Sequence, residues 1–231
     1  MMNQYSNNIQ KLIVALQNER KMDNLKVADL VASIKLNEKD IASYVAYDHR
    51  PSESYGRQLI YDNGNFKILL MSWKKGDFTA IHNHGYTEWG CVYFFGEATH
   101  RLYEENDDKL QLVQKDNFHV GEVASVCGDL THIMGNASAE DFTTLHIYGS
   151  NTRQHDVSEN AKVFIPEEQR VVTTMGSAYL HMDNQLVLSE NPLKRTNKDV
   201  LLDYYALVKP FYERNLLIQS IKNMEDALVC I

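Results

Sequence analysis

From Leu59 to Val187 the apolar residues come in short continuous or alternating runs: Phe66 to Trp73, Gly90 to Phe95, Ala98 to Tyr103, Leu110 to Lys115, Val120 to Val126 and Phe142 to Tyr148. Glycine and Asx turns, Asp62-Asn63-Gly64 among them, separate these runs. Segments this short, punctuated this way, read as β-strands, and strands at such spacing predict an antiparallel barrel or sandwich. The period changes on either side. Ile9, Leu12, Ile13, Leu16 and then Val27, Leu30, Val31, Ile34 recur at intervals of three and four, as do Val200, Leu201, Tyr204, Leu207, Val208 and later Leu216, Ile218, Ile221. Those are helical stripes, with Asn197 placed to cap the one that follows it. The expected fold is therefore mainly β, flanked by N- and C-terminal helices. It divides into a helical segment over 1–50, a β-barrel over 51–190 and a helical extension over 191–231. The Tyr204 to Tyr212 stripe is read as a helix packed on the barrel.

A chain of 231 residues with 44% apolar content supports one sizeable core. The formal charge of -8 is spread along the chain without a basic stripe, which argues against nucleic acid and for a small-molecule partner. Cys91, Cys127 and Cys230 lie far apart with no Cys-x-x-Cys pair, as expected of reduced thiols in a cytoplasmic protein. No leader-like start and no bilayer-length apolar run are present in the sequence, so no membrane partner is expected. A monomer or homodimer is the expected assembly.

Chemistry concentrates at Gly76-Asp-Phe-Thr-Ala-Ile-His-Asn-His84. His82 and His84 are two apart, the period of a strand, so both imidazoles face one way and form half of a metal site suited to iron, copper, nickel or zinc. If the strand ran straight on, Glu88 would share that face as a fourth, anionic ligand; its plainer reading is a carboxylate at the barrel mouth. A second cluster runs from Gly121 to Asn136 and contains His132. Further on, alternation sets Thr144, His146 and Tyr148 on one face of one strand, where hydroxyl, imidazole and phenol can form a hydrogen-bonded relay. His49, His100, His119, His155 and His181 have no partner at ligand spacing and read as surface or loop residues. Trp89 and Tyr86, just after the pair, read equally as pocket wall or core.

Gly76, His82, His84, Glu88 and Gly96 together resemble the first motif of the cupin superfamily. Gly121, Gly128, His132 and Asn136 resemble the second, with Cys127 near the place of its usual proline. With Tyr55-Gly-Arg57 and Thr144-Leu-His-Ile-Tyr148 added, the stretch from Ser52 to Asn151 resembles the type I cysteine dioxygenase family, cupins that oxidise a thiol to a sulfinate. The resemblance implies a small antiparallel cupin barrel, or jelly roll, in which His82, His84 and His132 hold Fe(2+) and leave positions open for a thiol substrate and for O2 as co-substrate. It implies that Arg57, with Tyr55 beside it, anchors the substrate carboxylate through its planar fork. Tyr148 would be oriented by His146, with Thr144 in place of the family's usual serine. L-cysteine is the implied substrate, because members that prefer 3-mercaptopropionate tend to carry glutamine at the arginine position; here Gln58 is one residue away. The sequence departs from animal members at Trp89, which replaces the cysteine that crosslinks to the tyrosine. Cys91 reads as a buried free thiol, with a rearranged link to Tyr148 as the lesser alternative. Three other functions stand beside cysteine oxidation: a 3-mercaptopropionate dioxygenase, a four-ligand cupin with Glu88 acting on a thiol-free molecule, and a non-catalytic binding cupin.

Overall fold

The computed structural model describes residues 5–229 apart from 107–108, 153 and 194–195. Three helices come first: α1 (Asn7–Asn18), α2 (Asn24–Ile34) and α3 (Glu38–Ile41). Ser6 and Asp23 start the first two by accepting the backbone N–H of Ile9 and Lys26, which satisfies donors that a helix start leaves free. Twelve strands follow among the described residues: β1 (Gly56–Asp62), β2 (Phe66–Trp73), β3 (Ile81–His82), β4 (Trp89–Phe94), β5 (Ala98–Asn106), β6 (Lys109–Phe118), β7 (Val123–Val126), β8 (Thr131–Gly135), β9 (Phe142–Gly149), β10 (Ala161–Ile165), β11 (Arg170–Thr174) and β12 (Val187–Pro192). Two helices, α4 (Lys198–Arg214) and α5 (Ile218–Val229), close the described chain. Asn197 does stand at the N-cap of α4, but its side chain makes no capping hydrogen bond.

The strands form two sheets, β1-β2-β9-β4-β7 and β12-β11-β10-β3-β8-β5-β6, and every pairing is antiparallel. The expected mainly β cupin architecture is present as a jelly roll of two facing sheets rather than one continuous hydrogen-bonded ring. Strand β2 shows how the layers arise. Ile68 and Leu70 pack outward with Ile9, Leu12, Val27 and Val31 of the N-terminal helices, whereas Leu69, Met71 and Trp73 point between the sheets. Both faces of this sheet are covered, so the strand reads as a nearly unbroken apolar run instead of alternating with polar residues. Strand β9 is layered likewise: Leu145 and Ile147 join the outer layer, and Tyr148 joins the inner one. A third core forms where Tyr204, Val208, Phe211 and Tyr212 of α4 pack with Phe78, Ile81 and Phe164 of the seven-stranded sheet. Arg214, the last residue of α4, donates to the Lys75 carbonyl and to the buried Asp77, tying the C-terminal helix to the turn that leads into β3.

Candidate metal and substrate site

Register brings the first two histidines together across strands: His82 of β3 is the direct partner of His132 of β8. His84 lies two residues beyond His82, and the three ring centroids are 4.7–5.0 Å apart. All three residues are buried, and one ring nitrogen from each lies within 4.8 Å of the others. Two of the rings, His82 and His132, are held from behind. His82 Nδ1 is 3.0 Å from the Ala80 carbonyl and so carries the proton, which leaves Nε2 as a lone pair. His132 Nδ1 is 3.0 Å from His100 Nε2, and the Nε2 atoms of His84 and His132 face each other at 3.0 Å. Burial pushes the His82 imidazole down to about 4 and those of His84 and His132 well below the ordinary histidine range, so all three are neutral at pH 7. Three neutral imidazoles converging in this way fit a transition metal: two nitrogens each ~2.1 Å from an ion, at right angles to one another, lie ~3 Å apart.

Glu88 does not join them. After His84 the chain turns instead of running straight, with Gly85 at φ 53° and the Thr87 N–H bonded to the His84 carbonyl. A Cβ at Gly85 would collide with the backbone of Glu159 and Ala161, so the turn needs glycine for space as well as for conformation. The turn breaks the strand's parity. The Glu88 carboxylate is exposed and accepts hydrogen bonds from Ser150 Oγ at 2.9 Å, the Asn151 N–H at 2.7 Å and Thr152 Oγ1 at 3.0 Å. Burial is the largest single influence and raises its pKa, but these hydrogen bonds together outweigh it and hold the carboxyl below its usual value. Among the described residues, only the three histidines form a group able to share an ion.

Beside the histidines, strand β9 carries a buried polar row. Trp73 Nε1 donates to Thr144 Oγ1 at 2.9 Å, Thr144 Oγ1 is 2.7 Å from His146 Nε2, and His146 Nδ1 is 2.7 Å from the Tyr148 hydroxyl. An indole N–H can only donate, so Thr144 accepts from Trp73, and the His146 ring bridges the Thr144 and Tyr148 hydroxyls through its two nitrogens. The Tyr148 ring lies 5.2 Å from that of His84. Burial raises the Tyr148 pKa far above the ordinary tyrosine value, so the group remains a phenol. His82, His84, His132, His146, Tyr55 and Tyr148 line a cavity of about 20 Å³. Tyr55 is fixed between Trp73 and Tyr179, at 4.9 and 4.8 Å between ring centroids, and its oxygen accepts the Ala178 N–H. Arg57, near the start of β1, keeps a buried Nε with no hydrogen-bond partner among the described residues, and its charge acts on Tyr55, His146 and Tyr148. Gln58 is exposed.

Other sequence expectations change. Trp89 and Cys91 pack in the outer layer under the N-terminal helices, while Tyr148 packs in the inner one. Gly90, not Cys91, is the partner of Tyr148, so the thiol and the phenol lie on opposite faces and the rearranged crosslink is excluded. Cys91 and Cys127 are free, and Cys230 lies outside the described residues. Tyr86 stacks on His155 at 4.3 Å and lines a surface hollow with Glu88 rather than the histidine cavity. His119, His155 and His181 are exposed, as expected. His49 is a loop residue, though held against buried Asp77 at 2.9 Å. His100 departs from its reading as a surface or loop residue: it is buried and touches His132. The signal for this is the period of two that sets it level with buried Ala98.

No helix among the described residues is long and apolar enough to cross a membrane. Among solved structures, an uncharacterised conserved protein with a double-stranded β-helix domain from Klebsiella pneumoniae subsp. pneumoniae is 13% identical, with 49% of this chain and 89% of that chain covered and a TM-score of 0.38. A protein from Thermus thermophilus is 17% identical over 48% and 93% of the two chains, with a TM-score of 0.39. An RmlC-like cupin family protein with a double-stranded β-helix fold from Methanocaldococcus jannaschii is 12% identical over 45% and 86%, with a TM-score of 0.35. Likenesses this distant add nothing to a family match. That match is far more extensive: the model of the family described as Cysteine dioxygenase type I fits residues 3–156. A match over most of the chain, spanning the three histidines and the Thr144 to Tyr148 row, makes this protein a member of the type I cysteine dioxygenase family.

Proposed function

We propose that the protein is an iron-dependent thiol dioxygenase that converts L-cysteine and O2 to the sulfinic acid, both oxygen atoms ending on sulfur. The observation that carries this reading is the buried polar row of Thr144, His146 and Tyr148 set against three convergent histidines in a member of this family. His82, His84 and His132 would hold the metal. Ferrous iron, when bound there, supplies redox chemistry with O2 and stabilises a thiol as its thiolate.

The chain's own residues do the rest. The orphaned Nε of Arg57 offers a charged donor to a substrate carboxylate, and with its neighbouring guanidinium nitrogens makes a two-pronged bond that lysine cannot match. With the His146 proton on Nδ1, Tyr148 accepts that hydrogen bond and presents its own O–H as donor, orienting the reacting sulfur and oxygen atoms and holding a proton at its Oη. The cavity is small, which supports a small-molecule substrate. Arg57, rather than exposed Gln58, supports cysteine over 3-mercaptopropionate. The engaged carboxylate of Glu88 supports a three-histidine site over a four-ligand one.

Oxygen uptake by the iron-loaded protein with cysteine, 3-mercaptopropionate and cysteamine, with products identified by mass spectrometry, tests the reading. Cysteine should turn over best and cysteamine, which lacks the carboxylate, worst. Absence of sulfinate from all three thiols overturns it.

A further inference from the structure

His132, His100 and Asp116 lie in a row across three adjacent strands, β8, β5 and β6. His100 is the direct cross-strand partner of Asp116, and His132 sits diagonally across on the other side, opposite Leu102. His100 is 7% exposed; its Nε2 is 3.0 Å from His132 Nδ1, and its Nδ1 is 3.6 Å from Asp116 Oδ2. Phe118 packs edge-on against the His100 ring, and Gln114 Nε2 donates to the other oxygen of Asp116 at 2.9 Å, so the middle and the outer end of the row are steadied.

We propose that His100, backed by Asp116, is a positioning residue that fixes the His132 tautomer and so sets the strength with which the three-histidine site holds its metal. The proposal rests on the metal-site reading above and concerns a residue outside that site's ligand set.

Proton counting gives the direction of every hydrogen in the row. For His132 to offer its Nε2 lone pair towards His82 and His84, its proton has to sit on Nδ1. The partner of that proton is His100 Nε2, which must then be a lone pair. The His100 proton is therefore on Nδ1, facing the carboxylate across a gap that a small rotation, or one water, closes. No other partner among the described residues reaches His100 Nδ1. Taken from the surface inward, the Asp116 carboxylate fixes the His100 proton and His100 fixes the His132 proton. A ligating imidazole that donates its second N–H in this way is a stronger base and is held in one orientation; losing such a partner commonly costs 10–100-fold in metal affinity. A buried histidine with a purely structural role would need neither the aligned carboxylate nor the contact with His132.

The test is the Fe(II) dissociation constant, measured by chelator competition, together with the electronic spectrum of the Co(II)-substituted protein. His100→Leu removes the acceptor, whereas His100→Gln keeps a carbonyl oxygen near the place of Nε2. Asp116→Asn, near the surface, changes the outer end of the row without opening the core. The expected results are ~10–100-fold weaker Fe(II) binding and a shifted Co(II) spectrum in His100→Leu. Affinity should lie within a few-fold of wild type in His100→Gln and be weakened by a smaller factor in Asp116→Asn. Wild-type affinity and spectrum in His100→Leu overturn the proposal, as does a loss in His100→Gln equal to that in His100→Leu. If His100→Leu does not fold, Asp116→Asn decides, and unchanged Fe(II) affinity in that variant is the overturning result. Because these readouts need no thiol, a protein that binds iron as expected but forms no sulfinate refutes the proposed reaction and leaves this assignment standing.

Discussion

At the scale of single residues, Arg57 and Glu88 carry the sharpest consequences. Arg57 holds a buried donor with no hydrogen-bond partner among the described residues, so under the proposed function its removal should cost the bond to a substrate carboxylate and spare thiols that lack one. A hydrogen bond to a charged group contributes roughly 1.5–3 kcal/mol, so Arg57→Ala should raise KM for cysteine by ~10–100-fold while leaving cysteamine turnover within a few-fold. Steady-state kinetics with the two thiols check this; an equal loss for both would contradict it. Glu88→Gln should leave bound iron, measured by elemental analysis, unchanged at one per chain, because the carboxylate is spent on Ser150, Asn151 and Thr152. A fall in iron content would restore the four-ligand reading. The sequence alone leaves Glu88 open between ligand and barrel-mouth carboxylate, because counting by twos assumes an unbroken strand and only the structure shows that the Gly85 turn ends it. The same counting succeeds for Thr144, His146 and Tyr148, which occupy one regular strand. It serves for His100 too, but ligand spacing along the sequence hides a partner that comes from register.

At the scale of elements, the runs that read most clearly as strands are those buried on both faces or in regular alternation: β2 lies at Phe66–Trp73 and β9 at Phe142–Gly149, close to their sequence readings. Strands β3, β8 and β10 to β12 are not legible in the same way. Two residues of β3 carry no period, and the runs at Ala161–Ile165 and Arg170–Thr174 are only five residues each, with pairing partners instead of local pattern to define them. The α4 stripe is legible, but what its tyrosines pack against is not. Tyr212 donates to the buried carboxyl of Glu167, whose pKa burial pushes up to about 7 despite that hydrogen bond. The unfolded chain releases this proton near the ordinary glutamate value, while the folded chain retains it up to about 7. Between those values the folded state binds more protons, so stability falls as pH rises, by up to ~1.4 kcal/mol per pH unit. Glu167→Gln removes this contribution. Thermal melts from about pH 4.5 to 7, the window between the two values, should show the wild type losing ground to the variant as pH increases, and parallel curves would contradict the assignment.

At the scale of the whole molecule, apolar layers under the helices flank the two sheets and a third lies between them, where the histidines line the cavity. Metal held by β3, β8 and the turn after β3 binds the folded chain alone, so it should stabilise the entire jelly roll. Ligand at a hundred times its Kd contributes about 2.7 kcal/mol, which for a chain of this size raises Tm by ~5–10 °C. Calorimetry before and after chelation checks this, and equal melting temperatures would argue against a metal held by the fold. The layered plan is legible in outline from the alternation of helical and strand periods. The facing of the two sheets is not, because strand order is set by long-range pairing. The central claim, that this family member oxidises a thiol with both atoms of O2, is tested most directly by turnover of cysteine under ¹⁸O2 with mass analysis of the product. The expected product is a sulfinic acid carrying two labelled oxygens; product with one or no labelled oxygen, or disulfide alone, would contradict the proposed reaction.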